Sequence, residues 1–258
     1  MNGKMVRTVF DTGADEISFG EQTAKKLGLD SSMHKDERMG VFAGGGSLNW
    51  SIDPVTLTAG NREFTNFPVR VIKGGDSPFG DITVGAELLR RTRILMDYKA
   101  KTMTILTESV LSNQPGIVHI PFEFAKAKGL HHLIIIGAKV SGRDTFLNLD
   151  TGGTFAFAVF PSEAKRLGLS IERKVTAGVG GGGKTPDITL YKEPVEVCVS
   201  QICESVNAIW IKGHEELGEK IRKSNGKEIS GVVSHEFLSG KQVEYDLAKK
   251  EILIRRVP

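Results

Sequence analysis

The chain restates itself once, in order, over nearly all of its 258 residues. Val9-Phe10-Asp11-Thr12-Gly13-Ala14 is followed by Ala24-Lys25-Lys26-Leu27-Gly28-Leu29, and Asn148-Leu149-Asp150-Thr151-Gly152-Gly153 by Ala164-Lys165-Arg166-Leu167-Gly168-Leu169. Each copy then carries a glycine cluster, Gly44-Gly45-Gly46 or Gly180-Gly181-Gly182-Gly183, and an acidic-Pro-Val step, Asp53-Pro54-Val55 or Glu193-Pro194-Val195. The copies close on Glu87-Leu88-Leu89 with Asp97-Tyr98-Lys99-Ala100-Lys101, and on Glu236-Phe237-Leu238 with Asp246-Leu247-Ala248-Lys249-Lys250. A period of about 140 residues is far longer than the roughly 20–50 of solenoid repeats, so duplication of a whole domain is the better reading. Two lobes related by a pseudo-twofold axis are expected, residues 1–110 and 117–258. The linker should fall around residues 107–116, where Ser, Asn, Gln, Pro and Gly cluster.

Within each half, short runs rich in Val, Ile, Thr and Phe are divided by Gly, Asn and Ser turns. Residues 133–140, Ser141-Gly142 and residues 143–149 together read as a hairpin. Helical signals are brief: residues 20–27 and 161–167, each ended by a glycine at the C-cap, and a turn or two at 86–91 and 235–239. The fold class is therefore all-β with a few short helices. Aligning the halves matches Asn2-Gly3-Lys4 to Ser141-Gly142-Arg143, so the strand at 133–140 has no counterpart in the first half. Its partner would precede Met1. The expectation is a natural chain that extends further, in a leader that could carry an export signal, or a first lobe with an uncovered strand edge through which two chains could pair.

Two Asp-Thr-Gly tripeptides occupy equivalent places. One alone would arise by chance in roughly one such chain in twenty, and it is also a serviceable turn, with Asp capping and Gly supplying positive φ. Two in a duplicated context point to chemistry. Each follows an apolar, strand-like run and precedes another, which puts each Asp in a loop held by a rigid scaffold. Carboxylates that meet across a twofold axis cannot both ionise easily, so they share a proton. The ionised one can take a proton from a water while the protonated one donates to a carbonyl oxygen.

These motifs, with Gly85-Ala86-Glu87-Leu88-Leu89 and Leu95-Met96-Asp97-Tyr98, resemble the retropepsin-type aspartic peptidases, and the second half fits the same pattern. The chain is most similar to bacterial members that carry two such lobes in one polypeptide. The resemblance implies two β-barrel lobes of the acid-protease kind, an endopeptidase activity with Asp11 and Asp150 as the catalytic pair, and Thr12, Gly13, Thr151 and Gly152 as their support. It also implies that Gly44, Gly45 and Gly46, and Gly180, Gly181, Gly182 and Gly183, belong to flap hairpins over the cleft, against the alternative of plain loops. Two departures stand out: Gly153 where the family has Ala, Ser or Thr, and Ser234-His235 where the first half has Gly85-Ala86. They keep a second reading open, a catalytically silent peptide-binding protein.

The remaining chemistry-bearing residues exclude more than they suggest. A formal charge of +3, with no Lys/Arg-rich run interleaved with aromatics, argues against nucleic acid as a partner. The longest apolar run is far short of the roughly 20 residues that a membrane-spanning helix needs. Cys198 and Cys203, without a His at ligand spacing, make no zinc site, so no metal and no cofactor is expected. They would face each other across a Ser200-Gln201 turn as a disulfide, or stay reduced as two structural thiols. A bridge would fit a periplasmic or secreted protein; otherwise the protein is cytoplasmic. His131-His132 reads as a strand-edge or surface pair, and Trp50 and Trp210 as core or cleft-wall aromatics. The polar, unmatched stretch 213–227 reads as a solvated loop or short helix. The expected partner is a peptide or protein substrate, and the expected state a monomer that is an internal pseudo-dimer.

Overall fold

The computed structural model describes residues 1, 3–30, 33–40, 47–73, 80–176 and 187–256. Strands dominate and the helices are short, so the chain is all-β. The first half contributes β1 (Thr8–Phe10), β2 (Ile17–Gly20), α1 (Glu21–Leu27), β3 (His34–Gly40), β4 (Ser47–Ala59), β5 (Arg62–Ile72) and β6 (Ile82–Val84). They form a sheet in the order β1-β6-β2-β5-β4-β3. There β1 runs parallel to β6, β2 antiparallel to β6, and β2 parallel to β5. Next come α2 (Ala86–Arg91), β7 (Arg93–Asp97), β8 (Thr102–Leu106), β9 (Val118–Phe124) and β10 (Ile134–Val140).

The second half repeats this plan with β11 (Arg143–Leu149), β12 (Phe157–Val159), α3 (Pro161–Arg166), β13 (Ile171–Thr176), β14 (Asp187–Val199), β15 (Ile202–Ile211) and β16 (Ile229–Val233). Their order is β11-β16-β12-β15-β14-β13, with the same three directions: β11 parallel to β16, β12 antiparallel to β16, and β12 parallel to β15. Local details repeat too. Gly28 and Gly168 both take positive φ, 72° and 66°, and both helices end in the same pair of reversed bonds. Gly28 N–H donates to Lys25 O and Leu29 N–H to Ala24 O, as Gly168 N–H does to Lys165 O and Leu169 N–H to Ala164 O. The Pro54 and Pro194 steps fall where the ladder slips, because proline has no N–H to give it.

The two halves share a central sheet. After β16 come α5 (His235–Leu238), β17 (Lys241–Asp246) and β18 (Glu251–Arg256), and strands from both halves lie in the order β9-β18-β17-β7-β8. β7 pairs antiparallel with β17, Ile94 opposite Tyr245, and β9 with β18. A single apolar cluster runs through both halves, from Phe10, Ile17 and Phe67 to Phe157, Phe237 and Tyr245. The expected linker is docked onto this sheet. Leu111 is buried, Val110 and Leu111 N–H both donate to Glu244, and Arg93 pairs with Glu244 and Asp246.

Of the two readings of the stretch at 213–227, solvated loop or short helix, the structure has the helix. This is α4 (His214–Asn225), bracketed by positive-φ Gly213 and Gly226. Ile221 is buried in a second, smaller cluster with Phe160, Ile135 and Val232. Gly218 lies so close to the Phe160 ring that any side chain there would overlap it. Cys198 and Cys203 are opposite each other on β14 and β15, Cα atoms 4.0 Å apart, and joined as a disulfide. That spacing is the close, non-hydrogen-bonded kind of cross-strand pair. No helix among the described residues is long and apolar enough to cross a membrane.

Candidate active site

β1 and β11 are each followed at once by an aspartate, and each strand is held in line by its parallel neighbour. Asp11 N–H donates to Val84 O and Asp150 N–H to Val233 O, both at 3.0 Å. The chain then turns sharply through Thr-Gly, and the two turns interlock. Thr12 N–H donates to Thr151 Oγ1 and Thr151 N–H to Thr12 Oγ1, each at 3.0 Å. The hydroxyls donate onward across the divide, Thr12 Oγ1 to Leu149 O at 2.9 Å and Thr151 Oγ1 to Phe10 O at 3.1 Å. Four hydrogen bonds thus cross between residues about 140 apart in sequence (separations of 137–141), and both threonines are buried.

The glycines bring the carboxyl groups together. Gly13 N–H donates to Asp11 Oδ1 at 2.7 Å, and Gly152 N–H to Asp150 Oδ1 at 2.9 Å. Each glycine also faces the opposite carboxyl. A Cβ on Gly13 would lie 2.5 Å from Asp150 Oδ2, and a Cβ on Gly152 would overlap the Asp11 carboxyl carbon. Only residues without a side chain permit this approach. Both aspartates are half-buried. Enclosure of the Asp11 carboxyl, the charge of Asp150 and a hydrogen bond between the two side chains push its pKa well above the ordinary carboxylate range. The N–H groups of Gly13 and Ala14 oppose this without cancelling it. The pair can therefore hold one proton and one negative charge side by side.

The departures at Gly153 and Ser234 fall against each other. In the first half Ala86 N–H donates to Ala14 O, and Gly85 must be glycine because a Cβ there would sit 2.5 Å from that oxygen. In the second half the side chain has moved to the other partner. Ser234 is fully buried, and its Oγ hydrogen-bonds to Asp150 O and lies 2.7 Å from Gly153 O. A Cβ on Gly153 would stand 2.7 Å from that hydroxyl. The Phe155 ring and the serine together occupy the space that Gly153 leaves, and the serine ties down the Asp150 loop.

Two histidines flank the pair: His132, which the sequence suggests only as half of a strand-edge or surface pair with His131, and His214, which no sequence signal marks. His131 is exposed, but His132 is buried rather than at the surface, with Nε2 3.0 Å from Gly13 O and Nδ1 4.0 Å from Asp15. Its place in a turn just before an apolar run gave no sign of this. Burial lowers its pKa, against the pull of Asp15. Asp15 continues outward to Arg90 at 2.7 Å, and Arg90 to Glu87 at 3.1 Å. His214, at the start of α4 beside the Phe155 ring, is lowered by burial and feels the charge of Asp150. Trp210 Nε1 donates to Glu215 at 3.1 Å, next to His214. Trp50 packs partly buried against the core.

Gly44, Gly45 and Gly46, and Gly180, Gly181, Gly182 and Gly183, lie outside the described residues. Among the described residues no three His, Cys, Asp or Glu side chains are grouped to hold a metal ion. Two open cavities, of about 650 and 540 Å³, are lined by residues around Arg255 and around Arg62, not by the carboxyl pair.

Residues 1–88, of the 258 in the chain, match a family model described as aspartyl protease. The match takes in Asp11, its turn and the strand that supports it. It supports an aspartyl protease family and, in general terms, a protease and hence hydrolase function. No curated protein matches the chain.

Proposed function

We propose that the protein is an aspartic endopeptidase of two retropepsin-like lobes, residues 1–110 and 117–258, arisen by duplication, with Asp11 and Asp150 as its catalytic dyad. The observation that carries this reading is the reciprocal threonine grip, which holds two carboxyl groups in contact from loops of different halves. A structural turn has no need to press two acids together, since each would be better solvated apart.

On this reading the pair shares one proton, because burial and the neighbouring carboxylate oppose a second charge. The ionised member accepts a proton from a water lying between the two. That water attacks the peptide carbon while the protonated member donates to the carbonyl oxygen, giving a neutral gem-diol. Collapse returns a proton to the leaving amine and restores the dyad, with no covalent enzyme intermediate. The substrate is an extended peptide segment, and no cofactor enters the scheme. The disulfide between Cys198 and Cys203 suits an oxidising compartment such as the periplasm or the cell exterior. The silent-binder reading loses its motive where Ser234 and Gly153 complement each other.

The test is hydrolysis of a mixed peptide library between pH 3 and 7 by the parent, Asp11→Asn and Asp150→Asn. Cleavage by the parent that is lost in both variants supports one intramolecular dyad. A parent that binds peptides but cleaves none refutes the enzyme and leaves the binding protein.

A further inference from the structure

We propose that His132 is a positioning residue of the dyad: reaching from the turn before β10, it fixes the Asp11 loop through the Gly13 carbonyl and makes the two catalytic loops inequivalent. The role rests on the dyad reading above. Gly13 is the hinge of that loop. Its N–H sets Asp11 Oδ1 at 2.7 Å, its Cα side faces the Asp150 carboxyl, and its carbonyl receives His132 Nε2 at 3.0 Å. Any movement of this one residue would displace both carboxyl groups. The Asp150 loop is built differently: among the described residues Gly152 O receives no such side chain, and Ser234 acts on Asp150 O and Gly153 O instead.

The ring is held in one state. Donation to a carbonyl requires the hydrogen on Nε2, which leaves Nδ1 as a lone pair in the neutral ring. His132 is 7% exposed, and its buried Nδ1 finds no hydrogen-bond partner among the described residues. The charged groups around it are Asp15, 4.0 Å away and already engaged by Arg90, then Arg90 itself and Asp150. A buried imidazole with one nitrogen committed and the other idle is an expensive way to fill a turn, and it is explained by the carbonyl it holds.

The experiment is steady-state kinetics of the parent, His132→Phe, His132→Gln and, as a surface control, His131→Gln, on a peptide that the parent cleaves. Loss of one positioning hydrogen bond predicts a fall in kcat of about tenfold for His132→Phe, with KM within about twofold. His132→Gln, whose amide N–H can reach the same carbonyl, should recover most of that loss. In parallel, the ¹⁵N shifts of the parent's imidazoles should show His132 as a single Nε2–H tautomer. A parent that cleaves nothing refutes the dyad and the positioning role with it. Cleavage by the parent with His132→Phe unchanged, a change in KM alone, no recovery by His132→Gln, or freely exchanging tautomers would each overturn the positioning role and leave the dyad standing.

Discussion

Thr12→Val tests the interlock of the two halves with almost no change of shape. Valine keeps the branched outline of threonine but neither accepts from Thr151 N–H nor donates to Leu149 O. Thr12 is completely buried, so water cannot replace either bond. Two net hydrogen bonds at about 1 kcal/mol each, plus the cost of leaving a buried N–H without a partner, give a loss of about 2–4 kcal/mol. Thr12→Ser keeps the oxygen and loses one methyl group, for about 1 kcal/mol. Urea unfolding of the parent, both variants, Thr151→Val and the double Thr12→Val/Thr151→Val would read these differences as shifts in midpoint at constant slope. The four bonds are distinct but join touching residues in one network, so the loss in the double variant should depart from the simple sum of the two valine losses, and the cycle reads that coupling. The combined loss is still a large fraction of the whole stability of an ordinary domain, and the double variant should unfold at lower urea than either single one. A Thr12→Val loss no greater than that of Thr12→Ser would refute the argument that these hydroxyls hold the halves together.

Two further outcomes follow from the same site. The Asp11 pKa is higher folded than unfolded, so its contribution favours folding while the group is protonated, below the ordinary carboxylate range, and is lost as pH rises through the folded value. Asp11→Asn, which cannot ionise, should therefore gain in melting temperature over the parent between about pH 4 and about pH 7, and a difference that stays flat would contradict the raised pKa. Gly153→Ala should destabilise by about 1–3 kcal/mol through crowding against Ser234 and the Phe155 ring. Adding Ser234→Gly should restore at least part of this loss in a double-mutant cycle, and strict additivity would show that the two positions do not complement each other.

Much of the architecture could be read from the sequence because it is written in short-range signals. Proline at the ladder slips, glycine beyond α1 and α3, and the alternation of apolar runs with turns all act within a few residues, and each half repeats them. That the two Asp-Thr-Gly loops belong together was suggested for the same reason, since both copies of one tripeptide could be compared, and the structure brings them into contact. The burial of His132 was not legible, and α4 was legible only as one of two alternatives for 213–227, because neither has a counterpart in the other half. His132 owes its burial to the Asp11 loop, which lies 119 residues away in sequence. The exchange of side chain between Gly85/Ala14 and Gly153/Ser234 was visible as two separate oddities. That they are one feature depends on a contact that only the folded chain makes.

The central sheet also sets the order of events during synthesis. β7 waits for β17, and β9 waits for β18, so the sheet that unites the halves closes only after the last of these strands has left the ribosome. Until then the first half can fold its own sheet, with Asp11 at the end of β1, yet the loop has no Thr151 to grip and no second carboxyl to meet. Such long-range pairings form late, because closing a loop of this length costs entropy before any contact repays it. On the proposed reading, then, the two carboxyl groups meet only once this sheet has closed, so the paired site forms after both halves have been made.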